Sequence, residues 1–371
     1  MRKILPVLVL TGLATGSSVA QQKIVIKGTV KGDLKGYNKV YVVEEGEKKD
    51  SVEVKNGRFT LSIPYVKDAI PSLQAEYDMH QKPVLPAFPV VADRPGTVYL
   101  EVVDLAKGFR SATISGNKSA VAFQAFEQGR EQVRLEMVAA VNKRFNGNPK
   151  RDSAYNAAFQ EEIKLRLIPY ICNFVEAHAD AYIGAYILGR YQPVIPEQDL
   201  ERLYKKLGPV QQRTRPGTEV AARLLGFKRA EPGKEVVDFT LNTPEDLPVT
   251  FSSYRGKYVL IDFWSSWCGP CKAAFPYMKE MYKHYKSDQF EILGISIDQK
   301  KSAWLKELDT QKLPWPQLLD TKNVSVNGFA VTAVPTAYLI SPEGKIIMKQ
   351  VGFGENGDGE IEKKLKELFG K

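Results

Sequence analysis

The residues with the clearest capacity for chemistry are two cysteines, Cys268 and Cys271, in the run Trp267-Cys-Gly-Pro-Cys. Two thiols at this spacing can close a small disulfide and open it again. Exchange with another disulfide proceeds when a thiolate attacks a sulfur and forms a mixed disulfide. The spacing therefore predicts a redox-active pair.

The residues on either side indicate how this pair is positioned. Tyr258 to Trp264 form an apolar run long enough for one buried strand, and Lys272 to Tyr282 carry apolar residues at helical spacing. Cys268 is therefore expected at the N-terminus of a helix, where the helix dipole and free N–H groups favour a thiolate. Cys271 lies about one turn further and more buried, where it could resolve a mixed disulfide.

Two other uses of such a pair stay open. A zinc site needs two further ligands, and none stands at ligand spacing among the remaining candidates, which are Cys172, His80, His178 and His284. A permanent structural disulfide is the second alternative, although a Gly-Pro pair inside the loop that follows a buried strand favours redox use. Cys172 lies among apolar residues, which favours a buried, inert thiol over the alternative of a redox or intermolecular role.

The first residues indicate export. Arg2 and Lys3 precede an apolar run from Ile4 to Leu13, and Ser18-Val-Ala20 forms a small-x-small cleavage site. This pattern is typical of a secretory signal peptide, residues 1–20. The apolar run is too short to span a bilayer comfortably. We expect cleavage after Ala20, a soluble protein of the periplasm or cell envelope, and no transmembrane segment in the mature chain.

The composition narrows the function further. The chain has 371 residues, of which 43% are apolar, enough for two or three domains. The net charge is +9, but the basic residues are scattered and often stand beside acids. This favours a solvated basic surface, with weak attraction to an anionic envelope surface as the alternative. Nucleic acid is not expected as a partner of an exported chain.

Three regions follow the signal peptide. Residues 21–112 show short alternating strands, which predicts a β-sandwich, with a hairpin over residues 51–63 turning at Asn56-Gly57. Residues 113–230 predict a helical region and a polar linker. Residues 231–371 alternate strands and helices, and predict an α/β domain with a mixed central sheet.

The third region resembles thioredoxin, in the exported TlpA/ResA-like branch. The matching motifs are Phe239-Thr-Leu, Asp262 to Lys272, Phe275-Pro276, Val334-Pro335-Thr336 and Ser341-Pro-Glu-Gly344. The leading β region is similar to an uncharacterised domain fused to such thioredoxins in the Gram-negative envelope, and no activity follows from that similarity.

The resemblance implies roles for individual residues. Cys268 would be the attacking thiolate, Cys271 the resolving thiol and Pro335 a cis-proline beside them. Asp262 matches a buried acid that can take a proton from Cys271. Substrate contacts are implied for residues around the pair and the cis-proline: Trp267, Gly269, Pro270, Val334 and Thr336. The redox group is the cysteine pair itself, without a cofactor or metal.

The chain departs from its branch at one position. Many TlpA/ResA-like proteins carry a glutamate three residues after the second cysteine, where this chain has Ala274, and many of them lack an acid at the position of Asp262. This chain therefore has a carboxylate at position 262 instead of one at position 274. A role in cytochrome c maturation is accordingly not carried over.

The Gly-Pro dipeptide between the cysteines also resembles the one found in reducing thioredoxins. A strong oxidant needs its reduced form stabilised, and no positive residue stands between these cysteines. We therefore expect a reductase of protein disulfides, recharged by a membrane electron donor. The alternatives are an isomerase that forms a homodimer through the N-terminal half, or a binding or scaffold protein with a passive thioredoxin domain. A peroxidase is disfavoured, because Trp267 precedes the cysteine and a partner thiol follows it.

Overall fold

The computed structural model describes residues 22–44, 47–80, 87–104, 108–146, 152–353 and 359–370. The expected signal peptide, residues 1–20, lies outside them. The chain divides into two compact units, residues 1–128 and 129–371. No helix in the described ranges is both long and apolar enough to cross a membrane.

The first unit consists mainly of short strands, as the alternating pattern predicts. Its elements are β1 (Lys23–Lys31), β2 (Lys39–Glu44), β3 (Glu47–Glu53), β4 (Arg58–Pro64), β5 (Ser72–Ala75), α1 (Glu76–Met79), β6 (Phe88–Pro89), β7 (Gly96–Asp104) and β8 (Thr113–Ser115). They form two four-stranded sheets, in the orders β4-β1-β7-β8 and β3-β2-β5-β6. The packing of these sheets as a sandwich stays a prediction.

The strand β1 shows how the alternation builds this unit. Ile24 and Ile26 are fully buried, while Lys23 and Lys27 on the other face are exposed. β1 pairs antiparallel with β4 and parallel with β7. Aromatic rings from both sheets meet in the interior, where Phe109 lies 6.2 Å from Phe59 and 6.5 Å from Phe88 between ring centroids.

The predicted hairpin over residues 51–63 is wrong beyond its turn. Asn56 and Gly57 both have positive φ, 51° and 68°, and Lys55 pairs with Arg58 across them, as an Asn-Gly turn requires. Among the described residues, however, β3 pairs with β2, and β4 pairs with β1. The turn therefore passes the chain from one sheet to the other, because alternation alone does not fix a strand's partner.

Helices lead from the first unit into the second. They are α2 (Lys118–Arg144), within which the unit boundary falls, α3 (Ser153–Glu162), α4 (Ile168–Ala177), α5 (Tyr182–Tyr191), α6 (Glu197–Lys206), α7 (Pro209–Gln212) and α8 (Arg215–Arg229). One π-helical turn, Ile163–Leu167, joins α3 to α4. Cys172 lies in α4, buried and unpaired with another cysteine, as predicted.

The rest of the second unit is built on a seven-stranded sheet of order β10-β9-β13-β12-β11-β14-β15. Its elements are β9 (Thr240–Asn242), β10 (Pro248–Thr250), β11 (Tyr258–Trp264), α9 (Gly269–Tyr285), β12 (Phe290–Ser296), α10 (Lys301–Gln311), β13 (Gln317–Leu319), α11 (Val324–Asn327), β14 (Thr336–Ile340), β15 (Ile346–Val351) and α12 (Glu360–Phe369). β11 is parallel to β12 and antiparallel to β14. The predicted mixed central sheet is confirmed.

The central strand β11 is buried on both faces and separates two hydrophobic clusters. Leu260 and Trp264 belong to the cluster that also contains Cys268 and Cys271. Val259, Ile261 and Phe263 point into the opposite cluster. The period of two along a strand explains this division, and it decides which side chains of β11 face the cysteines.

Candidate active site

The two cysteines sit where β11 gives way to α9. They are joined by a disulfide, with Cα atoms 5.3 Å apart. Cys268 occupies the N-cap position of α9, and the backbone N–H of Cys271 donates a hydrogen bond to its Sγ at 3.1 Å. Both are buried, Cys271 almost completely, at 1% exposure. Sequence reasoning predicted this strand-to-helix placement.

The turn before Cys268 is held by an acid that the sequence analysis did not identify as functional. Asp298, just beyond β12, accepts hydrogen bonds from the backbone N–H of Ser266 (2.8 Å) and from its hydroxyl (2.7 Å). It also accepts one from the Ser296 hydroxyl at 2.7 Å. On the other side, Lys272 Nζ donates to the Ser266 carbonyl at 3.1 Å. The turn is therefore fixed from β12 and from α9.

A second link lies one residue before this turn. The indole N–H of Trp264 donates a hydrogen bond to Oε1 of Gln317 on β13, at 2.9 Å. Both side chains are buried. Asp298 and Gln317 reach the site only through strand pairing, so no local motif marks either residue, although a polar residue directly after an apolar strand is a weak signal for Asp298.

The Val334–Pro335 peptide bond is cis, as the resemblance implied. It directly precedes β14, whose first residue Thr336 pairs with Phe263 near the end of β11. Val334 packs against the cluster that contains both cysteines. The Thr336 hydroxyl donates to the Ala333 carbonyl at 2.6 Å and tightens the loop. The cis-proline loop and the cysteine turn therefore lie at the same edge of the sheet.

Asp262 lies within β11, two residues from both Leu260 and Trp264, and therefore faces the cluster that contains the cysteines. Its side chain is 1% exposed, and neither carboxylate oxygen has a hydrogen-bond partner among the described residues. Burial raises the pKa of Asp262 to about 7. Ordinary solvation, the alternative for a residue at a strand end, does not apply here.

The residues that flank the buried cysteines are exposed to solvent. Trp267 has 67% of its surface accessible, and Gly269 and Pro270 are exposed as well. An incoming chain could contact this apolar rim on one side and the Val334–Pro335 loop on the other. In the described part of the chain, no group of three or more His, Cys, Asp or Glu side chains is placed to hold a metal ion.

The sequence of the C-terminal part is similar to those of known proteins. Residues 232–349 match the AhpC/TSA family. The thiol-disulfide oxidoreductase ResA of Bacillus subtilis is 33% identical over 127 residues, which make up 34% of this chain and 71% of that protein. ResA of Geobacillus kaustophilus is 32% identical over 136 residues, which make up 37% of this chain and 77% of that protein.

Solved structures include similar chains. A thiol-disulfide oxidoreductase from Bacteroides fragilis is 32% identical, with 37% of this chain and 100% of that chain aligned at a TM-score of 0.33. The AhpC/TSA match, residues 232–349, includes the disulfide and the cis-proline loop. Through this C-terminal part, the chain belongs to the ResA-type thiol-disulfide oxidoreductases of the AhpC/TSA family.

Proposed function

We propose that the chain is an exported reductase of protein disulfides that acts through Cys268 and Cys271. The observation that carries this proposal is the position of the pair. A disulfide at the N-terminus of α9 shares a sheet edge with the cis-Pro335 loop, and an exposed rim surrounds it. This geometry supports attack by Cys268 on a disulfide presented at that edge.

Each turnover transfers two electrons from the reduced pair to the substrate. The Cys268 thiolate attacks one sulfur of the substrate disulfide, which forms a mixed disulfide and releases the other sulfur as a thiolate. Cys271 then attacks Cys268 Sγ, which closes the Cys268–Cys271 disulfide and releases the second substrate thiolate. The helix N-terminus stabilises the attacking thiolate of Cys268, and Cys271, in the first turn of α9, is available for the second step.

Asp262 suits the proton transfer of the second step. Cys271 must lose its proton to become a nucleophile, and a carboxyl with a pKa of about 7 can accept a proton near neutral pH. Asp262 faces the cluster of the cysteines, and its oxygens have no competing partner among the described residues. We assign it the role of proton acceptor for Cys271.

The electron source and direction complete the proposal. An exported dithiol must be reduced again after each turnover, and a membrane-bound thiol donor would supply the two electrons. The dipeptide between the cysteines, Gly269-Pro270, brings no positive charge that would stabilise the reduced form strongly. Low stability of the reduced form corresponds to a low reduction potential and favours reduction of substrates.

The reduction potential of the pair tests the direction. The chain without residues 1–20 would be equilibrated with dithiothreitol redox buffers, and Cys268→Ser serves as the control without a pair. We expect a value near that of thioredoxin, about −270 mV, together with reduction of insulin disulfides. A value between about −120 and −180 mV would contradict the proposal and indicate an oxidase or an isomerase.

A further inference from the structure

The helix α8 is bound to the segment that leads into the cis-proline loop. Nη2 of Arg223 donates a hydrogen bond to the carbonyl of Val331 at 2.9 Å. Six residues further along the helix, Nη1 of Arg229 donates to the carbonyl of Asn327 at 3.3 Å. The helix and the segment belong to one compact unit, although the AhpC/TSA match, residues 232–349, begins after the helix.

The backbones also approach closely at this contact. Gly226 lies between the two arginines, and a Cβ there would collide with the carbonyl oxygen of Val326. Such contact with a backbone atom cannot be relieved by a side-chain rotation, so any larger residue would separate α8 from the segment. The residue after α8, Ala230, belongs to the same hydrophobic cluster as Phe329 and Val331.

Arg223 is an unusual residue for a contact that serves stability alone. It is 4% exposed, its Nε and Nη1 have no hydrogen-bond partner among the described residues, and burial lowers its pKa. Guanidinium groups stay charged in proteins, and buried charge without full pairing is unfavourable. An apolar side chain would fill this place at a lower cost, whereas it could not hold the Val331 carbonyl.

The position of that carbonyl suggests what the hydrogen bond does. Val331 stands four residues before Pro335, and the loop between them ends at Thr336, where β14 begins and pairs with β11. The loop is thus fixed at its C-terminal end by the sheet. At its N-terminal end, Val331 is held by Arg223 and by its own N–H, which donates a hydrogen bond to the Ser325 carbonyl at 2.8 Å. Loss of the Arg223 hydrogen bond would leave this end of the loop more weakly held.

We propose that Arg223 is a positioning residue for the substrate loop, residues 331–336, so that the helical region forms part of the substrate site. The inference rests on the proposed reduction of protein disulfides at that loop. The geometry assigns α8 a function in recognising an extended substrate segment, which small disulfides do not need.

Hydrogen exchange of the whole chain tests the positioning directly. We expect Arg223→Met to speed exchange in peptides that cover residues 331–336, while α9 and β11 keep their protection. Arg223→Lys should restore part of the protection, because an ammonium can donate to the same carbonyl. Lys228→Met, an exposed position on the same helix, is the matched control. Unchanged exchange at residues 331–336 in Arg223→Met would overturn the inference.

Kinetics separate this inference from the proposed function. With insulin as substrate, Arg223→Met should raise KM about fivefold, the change expected for one ordinary hydrogen bond. Its reaction with 5,5′-dithiobis(2-nitrobenzoic acid) and its reduction potential should match those of the parent. Equal losses with both substrates would overturn the positioning role. If the parent itself left insulin oxidised, the proposed function would fail, and the exchange result would still decide whether Arg223 holds the loop.

Discussion

At the scale of single residues, Asp262 has the largest electrostatic consequence. Burial raises its pKa to about 7 from 3.8, so folding favours the protonated acid. The stability that this preference contributes is full below about pH 4 and is lost as the pH rises through about 7. We expect Asp262→Asn to remove this pH dependence, which amounts to ~4 kcal/mol of unfolding free energy.

Urea unfolding of the disulfide form between pH 4 and pH 8 measures this difference. Asp309→Asn, at an exposed position of α10, controls for the loss of a carboxyl elsewhere. Parallel pH profiles for the parent and Asp262→Asn would contradict the burial argument. In rapid-mixing experiments, the same variant should slow resolution of the mixed disulfide by Cys271 and leave the first attack by Cys268 largely unchanged.

Asp298 acts on the site through the turn that it holds. Its carboxylate accepts three hydrogen bonds from Ser266 and Ser296, at 2.7 to 2.8 Å. We expect Asp298→Ala to lower the unfolding free energy by ~3 kcal/mol. Hydrogen bonds to a charged group contribute more to stability than ordinary ones, and the Ser266 N–H loses its acceptor. Asp288→Ala, in an exposed turn, is the control for thermal unfolding. Equal midpoints in the two variants would show that the turn holds without Asp298.

At the scale of elements, the position of each cysteine distinguishes it more than its exposure does. All three cysteines are at most 5% exposed. Cys268 caps α9, whereas Cys172 lies within α4. Burial raises the pKa of the Cys172 thiol, and the negative charges of Asp199 and Glu176 raise it further. In the reduced native chain, iodoacetamide at pH 7 should modify Cys268 at least about tenfold faster than it modifies Cys172. Peptide mass spectrometry over time measures the order, and early labelling of Cys172 would contradict it.

The elements also show what the sequence could predict and where it could not. β11, the turn and α9 follow one another without a gap, so local patterns sufficed to place Cys268 and Asp262. The hairpin at Asn56-Gly57 failed because its turn is local, whereas the partners of β3 and β4 depend on which sheet each strand joins. Asp298 and Arg223 were missed for a related reason, since each acts on a segment that is distant in sequence.

At the scale of the whole molecule, the catalytic unit is larger than its family match. Residues 232–349 match the AhpC/TSA family, yet the compact unit begins at Gly129 and includes the helices up to α8. Two arginines of α8 contact the segment before the cis-proline loop. The compact unit thus joins the redox domain to a helical region that lies outside the family match.

The choice of substrate depends on the proposed export, since protein disulfides are common outside the cytosol and rare within it. The proposal predicts that the chain expressed from Met1 in a Gram-negative host is recovered from the periplasm with Gln21 as its first residue. Ala20→Arg should block cleavage, because the site requires a small residue there. Intact mass and N-terminal sequencing measure both outcomes. A cytosolic chain that retains residues 1–20 would remove the basis for an extracytosolic substrate.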